Sequence, residues 1–314
     1  MLNRRHLRIK VLQAMYAFVQ SKEENYKRTE KELLNSIEKI HELYLYLMLT
    51  FTELKSVAER RIEENKTKRR PSEEDLNPNT KFVNNTVLSW IDSSSSLERA
   101  SKDATVSWVG DDNREMFKKM YVQIKESESY FGYMNEEETS VELEKAFLIE
   151  LFKEEIANSP MIYHFFEEKS IHWLDDIDLA CSMVIKTIKG FNEDFNDIMP
   201  LYKDKDDELD FVKSLFRETI AMEEESNELI QSLTQNWELD RIAKMDVILM
   251  KMAITEMQVF SSVPTKVTLN EYIEISKFYS TPKSNLFING ILDKAIVKLN
   301  EKDKINKIGR GLIN

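Results

Sequence analysis

Apolar residues recur at spacings of three and four over long stretches of this 314-residue chain, the pattern of helices with one buried face. Leu7, Val11, Ala14 and Phe18 mark an opening helix, with Asn3 placed to cap it. A long helix is expected from about Thr29 to Lys66, where Leu33, Ile37, Ile40, Tyr44, Leu47, Phe51, Leu54 and Ala58 keep the same spacing. Further helical patterns cover about 97–126, 139–157 and 174–190. A polar stretch with Pro and Asn after Lys66–Pro71, and the serine run Ser93–Ser96, break the middle of the chain.

Residues 207–300 read as a compact unit of four helices. The first, around Leu209–Leu233, has Phe211, Leu215, Phe216, Ile220 and Met222 on its core face. The second, Asp240–Met257, is so dense in apolar residues that it belongs at the centre of a bundle. The third follows Pro264 and spans about Lys266–Phe278. The fourth starts with Thr281 as N-cap and Pro282 at the first helical position. Asn289-Gly290 would elsewhere signal a hairpin turn. Phe287, Ile288, Ile291, Leu292 and Ala295 continue at helical spacing across it, which predicts a helix interior with close packing at Gly290. The chain thus divides into a basic helix (1–20), a charged, helix-rich middle (21–206), the bundle (207–300) and a basic tail (301–314). The fold class is all-α.

Composition agrees with this. Glu, Lys, Leu, Ile and Met abound, while Gly and Pro number six each. Hydrophobic residues make up 42%, enough for a substantial core. No apolar run reaches the roughly 18 residues needed to span a bilayer, and Val11–Val19 is short and interrupted by Gln13, unlike a secretory signal. The single cysteine, Cys181, excludes an intramolecular disulfide framework and fits a reducing, cytoplasmic setting; it reads as a small core residue of a helix.

Charge is sorted along the chain. The first 22 residues carry Arg4, Arg5, Arg8, Lys10 and Lys22 and no acid, whereas the whole chain has a formal net charge of -12. The segment from Lys294 onward is also basic. The acidic excess lies between the two ends and is expected to face a protein partner and to repel RNA. Arg4, Arg5 and Arg8 fall within about a quarter-turn of the opening helix. Cations there oppose the helix dipole, by ~0.3–1 kcal/mol each. An external polyanion would neutralise them, with Arg4, Arg5, Arg8 and Lys10 on phosphates. A solvated basic helix start and an arginine-rich targeting peptide fit the same residues. Lys66–Arg70 (KTKRR) fits either a second phosphate contact or a helix end whose cations suit the dipole.

Catalytic patterns are scarce. The glycines form no GxGxxG or phosphate loop, so no nucleotide or methyl-donor cofactor has a cradle, and neither a cofactor nor a small-molecule substrate is expected. His164 with Glu167 and Glu168, and His172 with Asp175 and Asp176, are better read as surface pairs than as metal ligands. Asp204–Asp210 lacks the glycine of a calcium loop and reads as an acidic helix start.

RRHLRIKVLQAMYAF resembles the opening helix of the NusB transcription antitermination factors. DRIAKMDVILMKMAITEM, with the following VTLNEYIEISK and FINGILDK, resembles that family's C-terminal signature. The resemblance implies a NusB-like, all-helical bundle of two subdomains and a non-enzymatic protein. It implies binding of a boxA-like, single-stranded element of nascent ribosomal RNA within the transcription elongation complex, with ribosomal protein NusE as partner. Arg4, Arg5 and Arg8 match the family's RNA-binding arginines, Tyr16 the tyrosine that follows, and Phe287 the aromatic before the Asn-Gly pair. His6 stands where the family more often has a basic residue, and residues 21–206 must hold a large insertion. Packing the opening helix on the bundle should bring Arg4–Arg8 beside the helix that begins at Pro282, where Lys283 and Phe287 lie in the first turns. Phe287 could be a stacking platform for bases or a core residue. A helical scaffold with no nucleic-acid role, its acidic middle binding a basic protein, is the alternative.

Overall fold

The computed structural model describes residues 2–21, 25–234 and 241–312. Its helices are α1 (Arg4–Ser21), α2 (Tyr26–Lys66), α3 (Glu73–Leu76), α4 (Thr86–Asp92), α5 (Ser95–Asp103), α6 (Asp111–Glu126), α7 (Glu128–Asn135), α8 (Val141–Leu151), α9 (Pro160–Lys169), α10 (Ile177–Gly190), α11 (Lys205–Ala221), α12 (Glu223–Leu233), α13 (Lys244–Val259), α14 (Thr265–Tyr279) and α15 (Ser284–Glu301). There is no strand among the described residues. Two compact units emerge: Leu2–Ile37 with Tyr202–Asn314, and Glu38–Leu201. The first division therefore falls inside the long helix α2, not at its start.

The first unit is a bundle around α13. Eleven of the sixteen α13 residues are buried, as its lack of a polar face dictates, and it packs against α1, α11, α12, α14 and α15. Leu7, Val11 and Ala14 of the α1 stripe are buried, and Phe18 meets Phe216 edge-on with ring centres 6.2 Å apart. The stretch expected as one helix around Leu209–Leu233 is two, broken at Met222. Glu223, Glu224 and Glu225 follow the break and suit the positive end of a new helix. The basic tail folds back on this bundle. Lys304 pairs with Glu225 at 2.6 Å, the Lys307 ammonium donates to the Phe260 carbonyl at 2.9 Å, and the Ile308 amide donates to Ser261.

Two details of α15 differ from the sequence pattern. Thr281 is not the cap. Pro282 and Lys283 form a turn and the helix begins at Ser284, because the hydroxyls of Ser280 and Ser284 both donate to the buried Asp246 carboxylate. Gly290 does lie inside the helix, but it is solvent-facing and nothing lies within 4 Å of where a Cβ would sit. The close packing expected there is absent.

The second unit is held by aromatic packing. Tyr46 sits at the centre of one cluster, 4.9 Å from Trp108 and 5.5 Å from both Phe165 and Trp173. The two indoles are anchored as well as buried: Trp108 donates to the Tyr46 carbonyl at 3.0 Å and Trp173 to the Lys39 carbonyl at 2.8 Å. Phe82, Tyr121, Tyr130 and Phe147 form a second cluster. Burial pushes the Tyr44 phenol up to about 12, and its oxygen accepts from the Met199 amide. The helical pattern at 97–126 is interrupted by a loop with Thr105 at φ 55° and Gly110 at φ 120°, which lets Val106 and Trp108 reach the core. The pattern at 139–157 ends in a π-type turn over Phe152–Ile156.

Gly110 and Gly290 make a matched pair. At both, an added methyl group would meet only open space, so the backbone alone decides. Gly110→Ala is expected to destabilise the protein by roughly 1–3 kcal/mol, because its φ of 120° with ψ of 156° is a conformation essentially restricted to glycine. Gly290→Ala should stabilise it by ~0.5–1 kcal/mol, by restricting the unfolded chain and favouring the helix. Urea denaturation of the two variants checks the opposite signs.

Candidate nucleic-acid interface

The opening helix is capped reciprocally. The His6 amide donates to Asn3 Oδ1 at 3.0 Å, and the Asn3 amide donates to His6 Nδ1 at 3.2 Å. The His6 ring is therefore part of the cap. From this start Arg4, Arg5 and Arg8 each reach a carboxylate of the bundle. Arg4 donates to Asp207 at 2.6 Å, its guanidinium 4.1 Å from the centre of the Phe211 ring. Arg5 makes a bidentate pair with Glu271, both contacts 2.8 Å. Arg8 makes a bidentate pair with Glu256, at 2.7 and 2.6 Å.

The last pair is buried. Arg8 is 2% exposed and Glu256 0%. Glu256 also accepts from Thr268 at 2.8 Å and from the Tyr272 hydroxyl at 3.0 Å, so four donors converge on one carboxylate. Burial opposes the Arg8 charge, but the hydrogen bonds and field of Glu256 more than compensate and raise its pKa. Burial, reinforced by Glu256, drives the Tyr272 phenol well above its ordinary value. At the more exposed pair, the hydrogen bond from Arg5 holds the Glu271 carboxyl below the usual range.

This corrects two assignments. Arg8 has no face left for a phosphate, and Lys10 is only 3% exposed; both lie behind the surface. The helix-dipole cost of the arginines is offset by the chain's own Asp207, Glu256 and Glu271, and needs no external anion. These acids stand some 200 to 270 positions away, so no local pattern shows the pairing.

The remaining candidates gather at the other end of α13. Tyr16 is 37% exposed and accepts from Gln20 at 2.9 Å, while Lys244 donates to Gln20 at 3.1 Å. Two residues beyond Lys244, Asp246 is buried and holds Ser280 and Ser284. That tether sets the turn from which Lys283 and Phe287 project. Phe287 is half-buried. It lines a hollow of about 270 Å³ with Arg241, Ile242, Asp246 and Lys283. Arg4–Arg8 do not sit beside Pro282 as expected: Glu256 and Asp246 are ten residues apart on α13, ~15 Å along its axis. Arg5 and Tyr16 do share a side of α1, since eleven residues bring them within roughly 20° of one another. Lys244, Arg241 and Asp246 complete this end of the bundle and were not singled out in the sequence. The signal for Asp246 is an acid set inside an otherwise apolar run.

A protein-family profile described as the NusB family matches residues 177–297. The transcription antitermination protein NusB of Natranaerobius thermophilus is 34% identical over 128 residues, covering 38% of this chain and 92% of that protein. The chain belongs to the NusB family. The NusB proteins of Salinibacter ruber and Chloroherpeton thalassium are 48% identical over 104 residues and 42% over 105 residues, each covering 33% of the chain. The chain spans 65% of the length of the first and 50% of the second. No solved structure matches it significantly. Among the described residues no cluster of three or more metal-ligating side chains occurs, and no helix is long and apolar enough to cross a membrane.

Two measurements check the arginine pairs. Glu256→Leu alone should cost ~3–5 kcal/mol, by leaving the Arg8 charge buried and unpaired, and Arg8→Met combined with it should recover much of that loss. The second is pH. Because the folded-state pKa of Glu271 is depressed, its contribution is present above the unfolded carboxyl value of about 4.3 and is lost as pH falls through the folded value. Arg5→Ala should therefore lower stability at neutral pH, with the gap to the wild type closing below about pH 4 in urea titrations.

Proposed function

We propose that the chain is an RNA-binding transcription antitermination factor. It takes a boxA-like single strand of nascent ribosomal RNA together with ribosomal protein NusE, in the transcription elongation complex. The observation that carries this reading is the surface where α1, α13 and α15 end together: the half-buried Phe287 ring and the exposed Tyr16, with Lys244, Lys283 and Arg241 around them. Aromatic faces for bases beside cations for phosphates are what a single strand requires. The first turn of α15 adds the positive end of its dipole. The names of the relatives support the same reading, each being called a transcription antitermination protein.

Arg4 and Arg5 extend this surface along α1. Their pairs with Asp207 and Glu271 are solvent-exposed, and exposed pairs contribute only ~0.2–1 kcal/mol. A phosphate can therefore replace either carboxylate. Arg8 and Lys10 act from behind, positioning α1.

Phe287→Ala should weaken binding of a boxA-like RNA ~5- to 150-fold and leave the salt dependence unchanged. Its melting temperature should fall less than for a fully buried phenylalanine, whose loss costs ~3–5 kcal/mol. Lys283→Ala should instead flatten the log–log salt slope by about 0.7. NusE should tighten binding by the wild type. No RNA binding at any salt would leave the helical scaffold as the reading.

A further inference from the structure

The Glu38–Leu201 unit belongs to an acidic stretch of the chain, yet one groove on it is basic. The α2 residues Val57, Arg60, Arg61, Glu64 and Asn65 recur at helical spacing and line one wall; Arg114, Lys118 and Val122 of α6 line the other. The groove encloses about 470 Å³, and all four of its cations are exposed. Glu64 is the one acid in the lining, and the half-buried Glu53 lies close to Arg60 and Arg114. The pairs that these cations make along their own helix, Arg114 with Asp111 and Lys118 with Glu115, are exposed and weak.

The groove does not end there. Arg61 and Asn65 also line an adjoining hollow of about 660 Å³, which adds Lys125, Tyr121, Tyr130 and Phe131. Glu74 and Asp75 line it too, the latter paired with Lys68 at 3.0 Å. Tyr121 and Tyr130 are core residues, their hydroxyls 3.2 Å apart, but Phe131 is 68% exposed. Arg114, Lys118 and Lys125 fall on one side of α6 and span ~16 Å along it. The basic run Lys66–Arg70 begins at the last residue of α2.

We infer that this groove is a second binding surface for single-stranded RNA, carried by the unit that interrupts the NusB bundle. Arg60, Arg61, Arg114 and Lys118 take the phosphates, and Phe131 stacks on a base. The inference rests on the RNA-binding reading above. Cations on both walls with an exposed ring at one end suit a flexible polyanion with flat bases; an acidic peptide would leave the Phe131 ring unused.

The test uses the full chain and a single-stranded RNA that carries the boxA-like element with a long flanking strand. Arg61→Ala combined with Lys118→Ala should flatten the salt slope by about 1.4, at ~0.7 for each cation removed from a phosphate. Phe131→Ala should weaken binding of that RNA ~5- to 150-fold without changing the slope. Neither should alter binding of the boxA-like element alone, and both exposed-site variants should melt as the wild type does. RNA binding that depends on Phe287 but not on these residues overturns the groove and spares the main surface. No RNA binding by the wild type overturns both. Loss of long-RNA affinity only in a variant that also melts early overturns the groove, as does an acidic peptide that binds there with RNA failing to displace it.

Discussion

The buried pair between Arg8 and Glu256 is the interaction on which the bundle depends. Helix α13 is apolar on nearly every side, so hydrophobic burial alone sets its position but leaves its rotation and its partners' register weakly defined. A guanidinium from α1 and two hydroxyls from α14, all meeting one carboxylate, have a single geometry that satisfies every donor. Such a network adds little net stability over apolar side chains of similar volume. Its contribution is to orient α1 and α14 against α13, since any other setting strands a buried charge.

Asp246 does the same at the other end of that helix. Its carboxylate takes up two hydroxyls of the turn before α15, and the turn delivers Lys283 and Phe287 to the surface. The apolar rod thus has a polar anchor near each end, one behind the arginines and one behind the aromatic end. The exposed Arg5 and Tyr16 and the half-buried Phe287 are arranged by buried groups behind them. Truncating an anchor therefore disturbs the surface by moving its supports.

The acidic middle holds a basic groove that its net charge, averaged over the segment, does not reveal. Arg60, Arg61, Arg114 and Lys118 of this segment meet across one groove, with Glu64 the one acid in its lining. An anion samples the potential where field lines converge, not the formal total. The cations stand on α2 and α6, more than fifty positions apart, and the loop with Thr105 and Gly110 intervenes.

The helices themselves were largely legible in the sequence. Spacing marked α1, the span of α2 and the central place of α13, because a buried helical face writes a period of 3.6 into neighbouring residues. Asn3, Asp204 and the helix continuing across Asn289-Gly290 were readable for the same local reason. What spacing cannot carry is which side chains meet from distant positions. Arg8 and Arg5 look alike along α1, and only packing buries one against Glu256 and leaves the other at the surface with Glu271. Thr281 has the chemistry of a cap, yet Asp246 draws its neighbours into a turn and moves the helix start. The sequence determined that the N-terminal helix would be basic and amphipathic; tertiary structure decided that its charge is balanced from within, because the carboxylates that balance it come together only when α11, α13 and α14 pack around α1.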